Sequence, residues 1–150
     1  MTTLVLDDFI PYRLSVASNL VSDAIAGAYE ALFGLSIAEW RVIAVVAEQD
    51  GLTQAAVGAR TRMDKVTVSR AAIALAGRGL LQRGVHADRR ARGLTLTAAG
   101  QELYAQVAPK ALDLEARILA GFSREEVDGF AAMLRRLEAV ALRLQEGTDA

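Results

Sequence analysis

The chain has 150 residues, of which 53% are hydrophobic and 23% charged, and its formal net charge is −1 at pH 7. This composition is typical of a folded domain with a sizeable core and excludes a disordered chain. The absence of cysteine excludes disulfides and thiolate metal sites, and a single histidine excludes a histidine-rich metal site. No charge-free stretch approaches the roughly 20 residues of a membrane span. We therefore expect a cytoplasmic protein without a cofactor.

The first two predicted elements are helices. A long helix begins near Pro11, a residue suited to a first helical turn, and apolar residues recur at helical spacing through residues 11–33. Ser36 and Glu39 have the spacing of a capping box, which predicts the start of a second helix. The turn signal Asp50-Gly51 predicts its end.

A helix-turn-helix is predicted next. Thr53 is placed to cap a short third helix over residues 54–60, and Asp64 a fourth over residues 65–77. The second helix of such a motif lies in the major groove of DNA. We expect its core-facing apolar positions to be Val66, Ala72, Ile73 and Ala76. The residues then left to contact DNA, together with Thr53, are Lys65, Thr67, Ser69 and Arg70. The alternative is an ordinary amphipathic helix with a polar outer face.

The charge is unevenly distributed along the chain. Residues 60–92 hold nine basic and two acidic groups, a local charge of +7, whereas residues 1–59 sum to −5 and residues 93–150 to −3. The basic residues are Arg60, Arg62, Lys65, Arg70, Arg78, Arg83, Arg89, Arg90 and Arg92. Such a block predicts contact with a polyanion through one face. The alternative is a solvated arginine-rich surface.

Two short strands follow, "LLQRG" and "GLTLT", with the arginines of residues 85–92 between them. A hairpin after a recognition helix is a wing, whose tip can enter a neighbouring minor groove that attracts arginine. The predicted DNA contacts there are Arg89, Arg90 and Arg92. Asp88 can pair with Arg90 and orient the loop, and an exposed ion pair of this kind serves orientation rather than stability.

Two further helices complete the chain. Thr97 is placed to cap a fifth helix that contains Pro109, which should bend the helix or break its hydrogen bonding. Ser123 and Glu126 suggest a capping box for the last helix. The first helix and the last two are rich in apolar residues and lie outside the winged lobe, so packing against a second copy would bury them. The alternative is that they fold back on their own chain.

The motifs "DKVTVSR", "GLLQR" and "DRRARGLTLTAAG", with their mutual spacing, resemble the multiple-antibiotic-resistance regulator (MarR) family over residues 35–104. The resemblance implies one mainly α domain over residues 1–150 with a small β-hairpin. It implies a winged helix-turn-helix at about residues 35–97, flanked by dimerisation helices at about 11–33 and 98–146. It also implies a homodimer that binds a palindromic operator in double-stranded DNA, often as a repressor released by a small ligand.

The same resemblance implies a ligand site between the dimer helices and the DNA-binding lobe, often for aromatic acids or their thioesters. The candidate lining residues are Tyr12, Arg13, Ser15, Asn19, Trp40 and Arg41. Arginine can pair with a carboxylate, and aromatic side chains can pack on a ligand ring. The alternative is that Trp40 and Tyr12 serve only in packing.

The sequence therefore predicts a DNA-binding transcriptional regulator. The other class considered is a winged-helix module for protein interaction without specific DNA binding. We do not expect an enzyme, because the sequence lacks a cysteine nucleophile, a histidine–carboxylate arrangement around a nucleophile and a glycine-rich phosphate loop.

Overall fold

The computed structural model describes residues 1–84 and 93–148. The chain divides into two compact units, Met1–Pro109 and Lys110–Ala150. A short 3₁₀ turn at Leu6–Asp8 precedes the main elements. These are α1 (Ile10–Phe33), α2 (Ile37–Glu48), α3 (Gln54–Thr61), α4 (Lys65–Gly77), β1 (Leu81–Arg83), β2 (Leu94–Leu96), α5 (Ala98–Ile118) and α6 (Arg124–Thr148). The fold is thus mainly helical with a small antiparallel hairpin, as predicted. Within the described ranges, no helix has both the length and the apolar character needed to cross a membrane.

The ends of α1 and α2 follow the local signals in the sequence. Pro11 lies in the first turn of α1, and the helix ends at Gly34, whose φ of 62° is in the left-handed region that suits glycine. The Ser36 hydroxyl accepts the Glu39 N–H at 3.1 Å, and the Glu39 carboxylate accepts the Ser36 N–H at 3.1 Å. The predicted capping box is confirmed, and it fixes where α2 begins.

Polar side chains also cap α3 and α4. The Thr53 hydroxyl accepts the Ala56 N–H at 3.1 Å, and Asp64 Oδ1 accepts the Thr67 N–H at 2.8 Å. The second Asp64 oxygen accepts the Thr67 hydroxyl at 2.9 Å. Both caps agree with the sequence prediction, so the boundaries of the helix-turn-helix are set by local hydrogen bonds.

The core of the first unit lies where α4 packs against α2. Its fully buried or nearly buried side chains include Leu35, Val42, Ile43, Val46, Val57, Val68, Ala71, Ala72, Leu75 and Leu94. On α4 these follow the spacing i, i+3, i+4, i+7 from Val68, which is the pattern of a single buried helix face.

This burial corrects one expectation about α4. Ala72 is buried as predicted, but Val66 and Ile73 are 58% and 64% exposed, and Ala76 is exposed as well. The prediction was wrong because the row that starts at Val68 faces the core, where α4 packs against α2 and α3. Val66 and Ile73 lie seven residues apart on the other side of the helix.

The wing base is a three-residue antiparallel pair with an added bridge. Leu81 pairs with Leu96, and Arg83 with Leu94. Leu94 also donates its N–H to the Leu52 carbonyl at 2.7 Å, which adds a bridge that the sequence did not predict. At Gly93, a Cβ atom would lie 2.4 Å from the Gly51 carbonyl oxygen, so this close approach of two backbone segments requires glycine.

A second close approach joins the start of α5 to the end of α4. The Thr97 hydroxyl accepts the Gly100 N–H at 3.0 Å, which confirms the predicted cap, and donates to the Gly79 carbonyl at 2.6 Å. A Cβ atom on Gly100 would lie 2.0 Å from the Leu80 carbonyl oxygen. The absence of a side chain at residue 100 therefore allows α5 to leave the wing base at this point.

The second unit contains the end of α5 and all of α6. The helix α5 continues through Pro109, and the boundary between the units falls directly after this proline. The Ser123 hydroxyl accepts the Glu126 N–H at 3.1 Å at the start of α6. No described residue of α6 is buried. A cavity of about 450 Å³ opens between apolar side chains that include Phe122, Phe130 and Met133.

The cap at Asp64 predicts a pH dependence of folding. Its hydrogen bonds to the backbone N–H and hydroxyl of Thr67 lower the pKa of the Asp64 carboxyl below its usual value. A depressed folded-state pKa contributes stability above the unfolded pKa of about 3.9, and this stability is lost as pH falls through the folded value. Asp64→Asn keeps a capping oxygen but does not titrate, so its difference in unfolding free energy from wild type should shrink in acid.

Chemical denaturation from pH 7 to pH 2 measures this difference. Thr53→Ala, which removes a cap that does not titrate, is the control, and its difference in unfolding free energy from wild type should stay constant with pH. A constant difference between wild type and Asp64→Asn across this range would show that the charge of Asp64 does not stabilise the start of α4.

Candidate nucleic-acid interface

The outer side of α4 presents the charged groups of the helix-turn-helix. Lys65 and Arg70 are exposed, whereas Thr67 and Ser69 are half-buried. Arg70 directly precedes the buried pair Ala71 and Ala72, and its own side chain lies away from the core. A guanidinium in this position can donate two hydrogen bonds to the guanine edge in a major groove.

Two of the predicted DNA contacts have a structural role as well. The Thr53 and Thr67 hydroxyls are engaged with Ala56 and Asp64 at the starts of α3 and α4. Thr53 accepts as the cap of α3 and Thr67 donates to the Asp64 cap, and each hydrogen bond fixes the rotamer of the threonine that makes it. Lys65 and Arg70 are therefore the predicted contacts on α4 that carry charge.

Some basic residues of the segment 60–92 make contacts within the fold. Arg60 of α3 forms an ion pair with Glu48 of α2. Arg78, which follows α4, donates to the carbonyls of Gly34 at 3.0 Å and Phe33 at 3.2 Å. A cation at the carboxyl end of α1 interacts favourably with the helix dipole. The charge count of the segment thus overstates the number of side chains directed only at a polyanion.

Gln54 is a candidate that the sequence analysis did not identify. It is the first residue of α3 and lines a cavity of about 360 Å³ with Lys65 and Val68 of α4. It also borders a smaller cavity of about 70 Å³ beside Ile73 and Arg83. Its amide can both donate to and accept from a base edge. Its position directly after the Thr53 cap is the sequence feature that could have identified Gln54 as a candidate contact.

The wing contributes Arg83, which is exposed at the end of β1. The other predicted wing residues, Asp88, Arg89, Arg90 and Arg92, lie outside the described residues. Their roles in binding and in orienting the loop stay predictions. The paired strands place the two ends of the loop together, because the Gly84 N–H donates to the Gly93 carbonyl at 2.7 Å.

An aromatic cluster joins α1, α2 and α5. The Trp40 ring lies 5.7 Å from the Tyr29 ring at 57° and 5.8 Å from the Tyr104 ring at 16°, the second contact being stacked. Tyr29 is buried, and burial raises the pKa of its phenol. Trp40 is thus a packing residue on two of its sides, and the sequence did not predict its contacts with Tyr29 and Tyr104.

The candidate ligand residues form two separate groups in one chain. Tyr12, Arg13, Ser15 and Asn19 are exposed on the first turns of α1, and Arg41 is exposed beside Trp40 on α2. Tyr12 precedes Tyr29 by 17 residues, which is about 25 Å along a helix axis. Because Trp40 touches Tyr29, a single chain does not bring Tyr12 or Arg13 close to Trp40. Among the described residues, no group of three or more His, Asp or Glu side chains is arranged to hold a metal ion.

Sequence comparison relates this chain to regulators of one family. The family model described as MarR family matches residues 33–91. A curated relative, the uncharacterized HTH-type transcriptional regulator YwoH of Bacillus subtilis (strain 168), is 27% identical over 103 residues. That alignment covers 69% of this chain and 75% of the relative.

Comparison with solved structures extends the likeness to almost the whole chain. A MarR/EmrR family transcriptional regulator from Acinetobacter sp. ADP1 matches with a TM-score of 0.87 and 25% identity, covering 93% of this chain and 99% of that one. The S. aureus MepR–DNA complex matches with a TM-score of 0.79 at 20% identity, covering 91% and 99%. PcaV of Streptomyces coelicolor, solved with its natural ligand, matches with a TM-score of 0.73 at 22% identity, covering 94% and 99%.

The last two likenesses concern the fold alone. The family match falls on the segment that contains the Asp64-capped helix and the exposed Arg70, and the fold agrees on both sides of it. Members of this family are transcriptional regulators rather than enzymes. The chain is thus similar to the MarR family of transcriptional regulators in sequence over residues 33–91, and in fold over nearly its whole length.

Proposed function

We propose that the chain is a sequence-specific, homodimeric repressor that binds a palindromic operator and is released by a small ligand. The observation that carries DNA binding is the exposure of Lys65 and Arg70 on α4, whose other face is fixed in the core. Gln54, which is half-buried and lines two cavities, and the exposed Arg83 extend this surface. A cytoplasmic location is part of this proposal.

The proposed mode of DNA binding supports repression. A dimer with two recognition helices in successive major grooves covers about one turn of DNA, and its wings reach beyond it. A site of that length within a promoter is closed to polymerase while the dimer is bound.

DNA binding predicts a dependence on both salt and base sequence. Affinity for a selected duplex should fall steeply between 50 and 200 mM salt, since neutralised phosphates release counterions. Arg70→Ala should lose about 1–3 kcal/mol of discrimination at one base pair of each half-site if its contact is bidentate. Fluorescence anisotropy with single-base-pair variants of the duplex measures both quantities.

Arg136→Ala, which removes an arginine from α6, is the matched control and should keep the wild-type base preference. Affinity that is flat with salt for every duplex tested would contradict DNA binding. That outcome would favour the alternative of a winged-helix module for protein interaction.

The dimer is supported by the exposed apolar side chains outside the winged lobe. In α1 these include Leu14, Leu20 and Leu32, and in α6 they include Phe130, Met133, Leu137, Val140 and Leu144. A helix with an unburied apolar face is unfavourable in water unless a partner covers it. A second copy is the occupant proposed, because two recognition helices are needed for a palindrome.

Leu137→Asp should therefore weaken the dimer. A carboxylate on the apolar face of α6 would be buried without a partner, and the dissociation constant should rise about tenfold or more. Ala139→Asp places the same group on the other side of α6 and should leave the dimer intact. Sedimentation velocity measures both. A wild-type protein that is monomeric at micromolar concentration would overturn the dimer.

Ligand release is proposed for an aromatic carboxylate or its thioester. The support is chemical: Arg13 and Arg41 are exposed cations, and Trp40 belongs to an aromatic cluster. Since Tyr12 and Arg13 lie about 25 Å from Tyr29 along α1, a pocket that uses them together with Trp40 takes α1 from the second chain. The ligand acts only if it binds the DNA-incompetent geometry more tightly.

A shared pocket predicts complementation between protomers. Arg13→Ala and Arg41→Ala homodimers should each lose the thermal shift caused by an aromatic acid that stabilises wild type. Dimers that contain one protomer of each variant should regain one intact pocket, measured by calorimetric stoichiometry. A mixed dimer that binds no better than either variant would contradict a pocket shared between chains. A stabilising acid that leaves DNA affinity unchanged would contradict release.

A further inference from the structure

Val66 and Ile73 are large apolar side chains on the outer face of α4, and the fold gives them no packing role. They are 58% and 64% exposed, while Val68, Ala71, Ala72 and Leu75 form the buried face of the same helix. Exposed apolar residues on a surface helix are common singly, but here two of them flank one functional arginine.

The three side chains form one row. Val66, Arg70 and Ile73 are separated by four and three residues, so they follow one another along the helix side farthest from the core. The row spans about 10 Å from Val66 to Ile73, which is about three base pairs of DNA. Any duplex that receives the Arg70 guanidinium therefore receives the apolar side chains on both sides of it.

The surroundings of the row favour nucleic acid over an apolar partner. Lys65 is exposed beside Val66, and Asp64 directs its carboxylate into the cap of α4. At the other end, Ile73 lines the cavity of about 70 Å³ with Gln82 and Arg83 of β1. The row is thus continuous with the basic hairpin base and is framed by cations.

In the major groove, one apolar group marks base identity, which is the C5-methyl group of thymine. We propose that Val66 and Ile73 determine operator specificity by contacting thymine methyl groups on the two sides of the base pair that Arg70 contacts. This inference rests on the proposed DNA-binding function. It assigns to Val66 and Ile73 the recognition of thymine methyl groups, which the charged side chains of α4 cannot provide.

The test compares thymine with deoxyuridine, which lacks only the methyl group. An operator is first selected from a random duplex pool by the wild-type protein, and each thymine of a half-site is then replaced singly. Wild type should lose about fourfold in affinity at one or two positions, the effect of one buried methyl group. Replacing such a T·A pair by C·G should cost affinity, and 5-methylcytosine in that pair should recover part of it.

Two variants connect each position to a side chain. Val66→Ala and Ile73→Ala should each bind the thymine and deoxyuridine duplexes equally at one of the sensitive positions. Both should keep the wild-type unfolding temperature, because the side chains are exposed. Val5→Ala, which shortens an exposed valine outside the winged lobe, should keep the wild-type thymine preference.

Equal binding of thymine and deoxyuridine duplexes at every position, with salt-dependent binding retained, would overturn this inference and leave the proposed function standing. Variants that weaken both duplexes equally, or that change the oligomeric state, would overturn it in favour of a shape or protein-interface role. Failure to bind any selected duplex would overturn both.

Discussion

The packing of α4 against α2 determines what the winged lobe presents to solvent. Val68, Ala71, Ala72 and Leu75 form one buried face of α4, and this face anchors the helix in the core. A helix that is fixed on one side has no freedom to rotate. The direction of Arg70 is therefore set by buried residues that never meet a ligand.

Side chains at the helix ends connect the lobe to its neighbours. Asp64 and Thr53 hold the two helix starts, and Arg78 joins the end of α4 to the end of α1. Trp40 stacks on Tyr104 of α5 and touches Tyr29 of α1. A change in the angle of α1 would thus be transmitted to α2 through ring contacts and to α4 through a guanidinium. This is the physical connection that a ligand bound at α1 would need.

The elements that the sequence predicted well are those with local causes. The caps at Ser36, Thr53, Asp64 and Thr97 depend on residues three positions away, so they are visible in the sequence. The face of α4 was assigned wrongly because two apolar rows compete, and only the position of α2 decides between them. The bridge between Leu52 and Leu94 joins segments 42 residues apart, and no local pattern specifies it.

The candidate site also contains residues that the sequence predicted and residues that it did not. Lys65 and Arg70 were predicted correctly as exposed, since charge alone excludes them from the core. Gln54 was missed because an uncharged amide gives no signal of its own. The candidate ligand residues were grouped by expected position, and the length of α1 separates them within one chain. Sequence patterns of this kind define single helices and strands, but they do not give the distances between residues in a folded chain.

The two close glycine contacts and the outer row of α4 differ in how many substitutions the fold tolerates. At Gly93 and Gly100 an added methyl group would meet a backbone carbonyl, so almost any substitution damages the lobe. At Val66, Arg70 and Ile73 the side chains are open to solvent, and replacement costs the fold little. A duplicated copy of this gene could therefore acquire a new operator through a few substitutions on one helix side, while its architecture stayed under strict selection.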